Sequence, residues 1–534
     1  MSFFHGVTIA EVVSGGVPIT VVPAAVIGLV GSAPTWAVST TAAYQPVAAN
    51  TPVFVGSTAQ GSSFGPMIQG YSIPYALNHI QLQTNNGAQQ IGQVIVVNVF
   101  NPATHNTTVS SQALTMPNTG TLYVNTGHMG LIGPGLNGYS GSTTVVVTNG
   151  SGSTTYTEGT DYTVDYVNGL IYQKTGGAIT AGEALLVSYS YCDPSKVADS
   201  DLVGSATNSV YTGMQVFLIA LNKFGVTPRI LIAPGYGGNV GSKDQTVAAA
   251  LLNVASTLRG FAIIDSSPST SVSAAVSNRG TTGQSFDMAN YRGVPVFPNL
   301  NFTDLGYVPT DTIINAAGAV VNTVSNATVD GPYSAWFAGA WSNQIVQNGF
   351  WWSPSNVTLI GPLGPDISLY MSFTDPNSDD NVLNAAGIVT VMNVFGTGLR
   401  TWGNRSSAYP TYTDVRTFMA IRMTLDIVEV SIQQASLQFI DSPITTGMIN
   451  NVLVSVNGFV NTLVQKGALI TGSQITYNPG DNPTTSLAAG IVTFEVSLMS
   501  PPPAENIVYD FIVNTALLAN TGPSQQSAAL TQSQ

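Results

Sequence analysis

Arg229-Ile230-Leu231-Ile232-Ala233 and Phe261-Ala262-Ile263-Ile264-Asp265 are two short apolar runs, and between them Val247, Leu251, Val254 and Leu258 recur at helical spacing. Neither run alternates with polar residues, which suits strands buried on both faces. Ser242 followed by Gln245 reads as a capping box for the helix, and Gly260 reads as its stop. A strand, a helix and a second strand in that order predict a parallel pair joined by a right-handed crossover. Further out, Ala25-Val26-Ile27-Gly28-Leu29-Val30-Gly31, Val53 to Gly56 and Val94 to Phe100 are runs of the same kind. Near Pro332, well placed for a first helical turn, Tyr333, Trp336, Phe337, Ala340 and Trp341 predict a second helix with one aromatic face. These segments imply an α/β domain in two pieces, 25–100 and 195–375.

The texture between the pieces differs. Residues 101–194 are rich in Thr, Gly, Asn, Tyr and Ser and show no helical period. Val145 to Val147, Tyr162 to Tyr166, Leu170 to Gln173 and Leu185 to Tyr191 are strand candidates, with Asn168-Gly169 as a hairpin turn. The block is expected to be an all-β insertion of its own.

After Asp375-Pro376-Asn377-Ser378 come strand candidates Ile388 to Val394 and Leu399 to Trp402, then helices at 414–434 and 445–466. Ile491 to Met499 alternates cleanly, with Val492, Phe494, Val496 and Leu498 on one face and Thr493, Glu495 and Ser497 on the other. The expected class is therefore α+β and multidomain. An α/β middle domain is interrupted by the insertion and followed by an α+β C-terminal domain at 376–505. The remaining segments are a linking arm at 1–24, a linking strand at 506–520 and a disordered tail at 521–534.

Composition narrows the function. The 534 residues are 44% hydrophobic but only 7% charged, with 13 basic against 26 acidic residues and a net charge of −13. About a quarter of an ordinary domain is charged. Such a chain has no reservoir of cations to neutralise phosphates, so it is not read as a nucleic-acid binder. Neither a cationic secretory signal nor an uninterrupted apolar run long enough for a membrane span is seen. Cys192 is the only cysteine, so no internal disulfide forms. Two weakly charged surfaces repel each other little, which favours a subunit that lives in an assembly.

Catalytic chemistry is sought and not found. Gly235-Tyr236-Gly237-Gly238-Asn239-Val240-Gly241-Ser242-Lys243 lies where phosphate loops lie, but Ser242 separates Gly241 from Lys243. Gly61-Ser62-Ser63-Phe64-Gly65 has nucleophile-elbow letters, a match that 54 glycines make easy by chance. His5, His79, His105 and His128 lack metal-ligand spacing. Asp375, Asn377 and Asp379 alternate like a calcium loop, but Asp380 and Ala386 occupy its glycine and glutamate positions. No catalytic residue, metal or cofactor is assigned. One charged cluster stands out: Arg400, Arg405, Arg416 and Arg422 beside Asp414, Asp426 and Glu429. It reads either as local pairing, with Arg422 and Asp426 one helical turn apart, or as a contact with another subunit or partner.

The chain ends carry a more specific signal. Phe4 to Val13 is β-prone and followed by Ser14-Gly15-Gly16, and Ile507 to Asn514 is β-prone and preceded by Pro501-Pro502-Pro503. A lone strand is not stable in water, so each must return to its own body or complete a sheet in a neighbour. Burying Val7, Ile9 and Val12, or Tyr509, Phe511 and Val513 of the strand that Ile507 opens, contributes on the order of 5 kcal/mol per arm at ~1.5–3 kcal/mol per side chain, before ordering costs. The acceptor sheet is expected to include Val492, Phe494, Val496 and Leu498.

Several ordered motifs resemble contractile-phage tail sheath proteins. They are Phe4-His5-Gly6-Val7, Val26 to Pro34, Leu231-Ile232-Ala233-Pro234-Gly235-Tyr236, Gly349 to Asn356, Gly398 to Arg405, Asp414-Val415-Arg416, Lys466-Gly467-Ala468-Leu469 and Ala504-Glu505-Asn506-Ile507. The insertion, through Tyr162 to Tyr166 and Thr175 to Ile179, is similar to outer β domains that decorate some sheaths. The resemblance implies a non-enzymatic virion protein without cofactors, assembled in the host cytoplasm. Its subunits would stack as hexameric rings around a tail tube, meet baseplate and tail terminator proteins, and contract to drive the tube through the host envelope. Direct membrane insertion is not expected. Two other readings are weighed: an extracellular β-rich adhesin or surface-layer protein, which predicts export, and a nucleotide-dependent enzyme, which predicts binding at Gly235 to Lys243.

Overall fold

The structure, a computed structural model, describes residues 18–41, 43–84, 90–124, 130–134, 136–142, 145–236, 245–266, 271–284, 286–314, 320–393 and 395–521. By backbone contacts the chain separates into two units, Met1–Pro502 and Pro503–Gln534.

In the first unit the apolar runs form a six-stranded sheet. Its strands are β1 (Val26–Gly31), β2 (Pro52–Ser57), β3 (Gln90–Asn98), β4 (Ile230–Ile232), β5 (Phe261–Asp265) and β6 (Gly293–Val296). The spatial order is β6-β5-β4-β1-β3-β2. All neighbours run parallel except β2, which is antiparallel to β3. The expected crossover is present: helix Thr246–Thr257 links β4 to β5 and buries Val247, Leu251 and Val254. Its start differs from expectation. Ser242 lies outside the described residues and Gln245, at the cap position, makes no side-chain cap. Its end differs too. Arg259, not Gly260, takes the left-handed conformation (φ 52°). Gly260 serves close approach instead, because a Cβ there would sit 2.7 Å from the Arg229 carbonyl oxygen.

Both faces of the sheet are covered, as continuous apolar strands require. Ile27, Leu29, Val94, Val96, Ile230, Ile232, Phe261 and Ile263 join one core. Val26, Val30, Ile95, Val97, Leu231, Ala262 and Ile264 join the other, together with Cys192. On the first face helices Ile73–Thr84 and Ser334–Asn348 pack together. The second of these begins after Pro332, with Tyr333 at its N-cap, so the proline precedes the helix. It is also buried almost all round its first turns, including Ser334, Ala338, Gly339 and Ser342, where one aromatic face was expected. Gly339 allows this, since a Cβ would lie 2.9 Å from Ile80 Cα.

The segment after Cα 101 forms two antiparallel three-stranded sheets. One is ordered Asn106–Thr115, Ala184–Cys192, Val146–Asn149, and the other Thr121–Tyr123, Leu170–Gln173, Tyr162–Asp165. They enclose a core of their own that includes Met116, Leu122, Val147, Ile171, Leu185 and Val187. The hairpin at Asn168-Gly169 is wider than expected. Asp165 pairs with Leu170, and only Gly169 is left-handed (φ 70°) while Gly169 N–H closes on Asp165 C=O at 2.9 Å.

In the last third a strand pair, Thr390–Asn393 with Leu399–Trp402, precedes two long helices, Met419–Ser436 and Thr446–Gln465. The first helix starts five residues later than expected, because Asp414 caps a short 3-10 turn, Val415–Thr417, instead. Their buried residues, among them Met423, Ile427, Val456 and Val460, belong to the same core as Leu29 and Trp336. The α/β sheet and the C-terminal helices therefore share one continuous apolar interior.

Candidate functional site

The alternating segment Ile491 to Met499 folds as a shorter strand than its pattern implies. Only Glu495–Ser497 is a strand, antiparallel to Gln474–Thr476 with Gln474 opposite Ser497, Ile475 opposite Val496 and Thr476 opposite Glu495. The side-chain alternation is nonetheless kept. Phe494 and Leu498 pack on the main core, Thr493, Glu495 and Ser497 are exposed, and Val496 is 40% exposed.

Backbone hydrogen bonds divide this segment by parity. The odd residues are all satisfied by their own chain. Asn482 Nδ2 donates to Thr493 C=O at 2.9 Å, and its Oδ1 accepts Thr493 N–H at 2.7 Å. Glu495 and Ser497 face Thr476 and Gln474. Met499 N–H reaches Ser473 Oγ at 3.3 Å, and Met499 C=O accepts Ile470 N–H at 2.8 Å. A second carboxamide closes the far side of the partner strand. Asn457, on the helix Thr446–Gln465, donates Nδ2 to Ile475 C=O at 3.1 Å and accepts Ile475 N–H at 3.0 Å. With Ile475 turned toward Asn457, the Ile475–Val496 pair is the non-hydrogen-bonded kind, so Val496 N–H and C=O point away from the pair. The even residues Val492, Phe494, Val496 and Leu498 thus present one row of backbone groups without a partner among the described residues.

The second unit offers the complementary feature. Residues 507–514 form no regular strand, contrary to expectation, because they have no sheet partner among the described residues. Ile507 (65% exposed), Tyr509 (73%), Phe511 (91%) and Val513 (88%) lie bare, and so do Val508 and Ile512. One side of the alternation, Ile507, Tyr509, Phe511 and Val513, is wholly apolar, and the other sets Val508 and Ile512 beside Asp510 and Asn514. Leu517 and Leu518, in the 3-10 turn Thr515–Thr521, are also exposed. Val7, Ile9 and Val12, the other predicted linking residues, lie outside the described residues, as does the tail beyond Thr521.

The charged cluster is split by the fold. Arg422 donates to Asp426 at 2.8 Å and to Glu429 at 3.2 Å, as local pairing requires. The partners that complete it come from far away in sequence: Arg292 grips Asp426 with two nitrogens, and Arg259 bonds Glu429. Arg416 pairs instead with Asp414, and Asp414 also accepts from the Tyr291 hydroxyl at 2.5 Å. The bonds from Arg416 and Tyr291 hold the Asp414 carboxyl well below the usual range. Arg405 lies over the rings of Phe418 (4.1 Å) and Tyr409 (4.5 Å). Arg400 donates to the Asn356 carbonyl at 3.1 Å. The cluster is thus a set of separate intramolecular contacts.

Elsewhere the chemistry is structural. Ser62 Oγ donates to Ala59 C=O at 2.7 Å inside a short helical turn, so the nucleophile-elbow letters form no elbow. The Asp375 segment is a capped turn: Asp375 Oδ1 accepts Asn377 N–H at 2.9 Å, and Asp379 begins the helix Asp379–Ala385. Among the described residues no His, Cys, Asp and Glu group could hold a metal. His79 is stacked 3.6 Å from Trp336, and burial lowers its pKa to about 3. His105 accepts Asn101 N–H at Nδ1 and faces Asp201 through Nε2 at 3.2 Å; His5 and His128 lie outside the described residues. Gly235 is left-handed (φ 85°), and 237–243 of the glycine-rich stretch lie outside them too. A cavity of about 630 Å³ opens beside Pro234-Gly235-Tyr236, lined by Tyr71, Tyr75, His79 and Phe302. Its carboxylate Asp304 is already bonded by Tyr75 and Gln69 at 2.7 and 2.8 Å.

Residues 204–407 match the family model of the phage tail sheath protein central domain. Residues 106–199, which are most of the β insertion, match a model described only as a protein of unknown function. The tail sheath protein of Burkholderia phage BcepMu is 34% identical over 520 residues, covering 97% of this chain and 98% of that protein. The tail sheath protein of Escherichia phage P2 is 25% identical over 330 residues, covering 61% of this chain and 74% of that protein. Among solved structures, the contracted helical sheath of the anti-feeding prophage has TM-score 0.53 at 15% identity, covering 96% of this chain and 100% of that one. The contracted sheath complex of the extracellular contractile injection system PVC has TM-score 0.52 at 13% identity, covering 97% and 99%. The fold, the central-domain match and a full-length relative agree, and the chain belongs to the contractile tail sheath family of phage structural proteins.

Proposed function

We propose that this protein polymerises as stacked hexameric rings around a tail tube, and that the sheath shortens to drive the tube through the host envelope. It acts without catalysis or cofactor, as a component of the virion assembled in the host cytoplasm. Its partners are copies of itself, the tube, the baseplate and the tail terminator. Neighbouring subunits are linked by strand addition: residues 5–13 and 507–514 of one copy complete the sheet at Val492 to Leu498 of another. The α/β body carries the insertion at 101–194 outward.

The observation that carries this reading is the unequal Glu495–Ser497 hairpin. One side is saturated by the chain's own groups, while the other offers a bare row of backbone donors and acceptors. An exposed sheet edge of this kind is a template for another chain. The same polypeptide supplies an exposed, largely apolar segment with no sheet partner among the described residues. Contraction then requires two lattices that differ in buried surface, with linkages that persist through both. Pro501-Pro502-Pro503 and Gly15-Gly16 are spacers in which rotation can be taken up while paired strands stay paired.

The test is negative-stain electron microscopy of the purified full chain beside a variant lacking residues 1–16. The full chain is expected to form striated tubes, and the variant is expected to remain folded and unassembled. Long tubes from the variant would refute the linking role of that arm.

A further inference from the structure

We infer that the cavity beside Pro234-Gly235-Tyr236 binds a small organic ammonium ion with an apolar body, held by carboxylates at its rim and by the His79 imidazole within. The site belongs to a single subunit and does not depend on how subunits join.

Its place in the sheet is the first argument. The chain leaves β1 toward β3 and β2, then returns to β4 on the other side of β1, so the winding of the sheet reverses there. Open parallel sheets take their ligands in the crevice that such a reversal leaves at the carboxyl ends of the strands. Pro234, Gly235 and Tyr236 follow the carboxyl end of β4 and line the cavity. The Tyr236 hydroxyl donates to Oγ of Ser32, just past β1, at 2.8 Å. The volume of about 630 Å³ suits a small organic molecule.

A buried polar group without a partner is the second. His79 is 4% exposed and lines the cavity. Trp336 stacks on its ring at 3.6 Å and Phe302 stands across it at 4.8 Å, yet its ring nitrogens have no hydrogen-bond partner among the described residues. Buried polar atoms are ordinarily bonded. Burial keeps this imidazole neutral, so one nitrogen is an acceptor in need of a donor. An ammonium N–H supplies that donor.

Charge selects the class of ligand. Asp193, Asp199, Asp304 and Asp330 line the cavity, and none of the described lining residues is Lys or Arg. Asp304 is engaged by Tyr75, Gln69 and the Gly306 N–H, and Asp193 by Thr107 and Ser195. The carboxylates of Asp199 and Asp330 have no hydrogen-bond partner among the described residues. Carboxylates beside the rings of Tyr75 and Phe302 attract a cation twice over, by charge and by the negative faces of the rings. An anion meets repulsion from both.

The test is calorimetric titration of phenethylammonium into the purified full chain, beside 2-phenylethanol, a neutral molecule of the same shape. We expect one saturable site for the cation, with affinity at least tenfold above that for the alcohol. Asp199→Asn combined with Asp330→Asn changes only the rim. It is expected to weaken the cation at least tenfold and to leave the melting temperature and the alcohol's affinity unchanged. His79→Phe keeps a stacked ring, removes the acceptor and is expected to weaken the cation several-fold. Absence of saturable binding, or equal affinity for cation and alcohol, overturns the inference. So does cation binding that neither the paired Asp substitutions nor His79→Phe weakens, because the ion then sits elsewhere.

Discussion

Arg292 holds Asp426 with both of its terminal nitrogens, at 2.5 and 2.7 Å, and the carboxylate is fully enclosed. Arg292 stands at the entry to β6 of the central sheet, while Asp426 lies in the middle of the helix Met419–Ser436. The bond therefore ties the α/β sheet to the helix Met419–Ser436, which shares its core with Ile475 and Phe494 of the C-terminal hairpin. Arg422 adds a third charge-assisted bond to the same carboxylate at 2.8 Å.

Removing that carboxylate leaves two guanidinium groups facing a buried gap. Breaking a buried pair by deleting one partner costs about 3–5 kcal/mol. Asp426→Ala is accordingly expected to lower unfolding stability by about that amount in urea titration, more than Arg416→Ala, whose partner Asp414 is exposed.

Asp265 sets a pH dependence. It caps the helix Ser334–Asn348, accepting Ser334 N–H at 2.7 Å and the Ser334 hydroxyl, and burial raises its carboxyl from 3.8 to about 7. Between those values the folded chain holds a proton that the unfolded chain has lost, so stability falls as pH rises through that window. Asp366, raised to about 6 by burial, adds a slope of the same sign. His79, lowered to about 3, acts oppositely, its contribution being lost as pH falls below the ordinary 6.5. Comparison with Asp265→Asn isolates the first effect. The wild type should lose stability relative to the variant between pH 4 and 7, by a few kcal/mol at about 1.4 kcal/mol per pKa unit. Parallel melting curves across that range would contradict it.

Close helix packing gives a steric prediction. At Gly339 a Cβ would meet Ile80 Cα at 2.9 Å and Gln83 at 3.0 Å. Gly339→Val forces apart the two helices that cover the sheet, at a cost of roughly 1–3 kcal/mol or more. The loss is readable as a lowered melting temperature by circular dichroism.

The open edge gives a prediction that separates folding from assembly. Proline is tolerated on a strand edge whose N–H faces solvent. Val496 N–H points outward, so Val496→Pro is expected to leave the monomer's melting temperature within a few degrees of wild type while preventing tube formation. Wild-type tubes from that variant would contradict pairing at this edge.

How far the sequence could be read depends on which groups an element uses. Val26–Gly31, Ile230–Ile232 and Phe261–Asp265 are legible because a strand buried on both faces needs an unbroken apolar run. Leu399–Trp402 and the helix Thr446–Gln465, capped by Thr445, are legible for comparable local reasons. Ile491 to Met499 is legible only in part. Alternation reports where side chains point, but a ladder also needs a partner strand, and Gln474–Thr476 reaches only three residues of it. The pairing of Arg292 with Asp426 has no local signature, because 134 positions separate the two. Asn457 and Asn482 are likewise invisible, since an asparagine standing in for a peptide group leaves no spacing or composition to detect.

The most direct measurement is electron microscopy of a chain ending at Pro502, paired with its thermal melt. This variant keeps the first compact unit whole and removes only the segment from Pro503 onward. The account predicts a cooperative melt close to that of the full chain and no tubes at concentrations where the full chain forms them. Tubes of ordinary length from the shortened chain would contradict the claim that each subunit is completed by its neighbour.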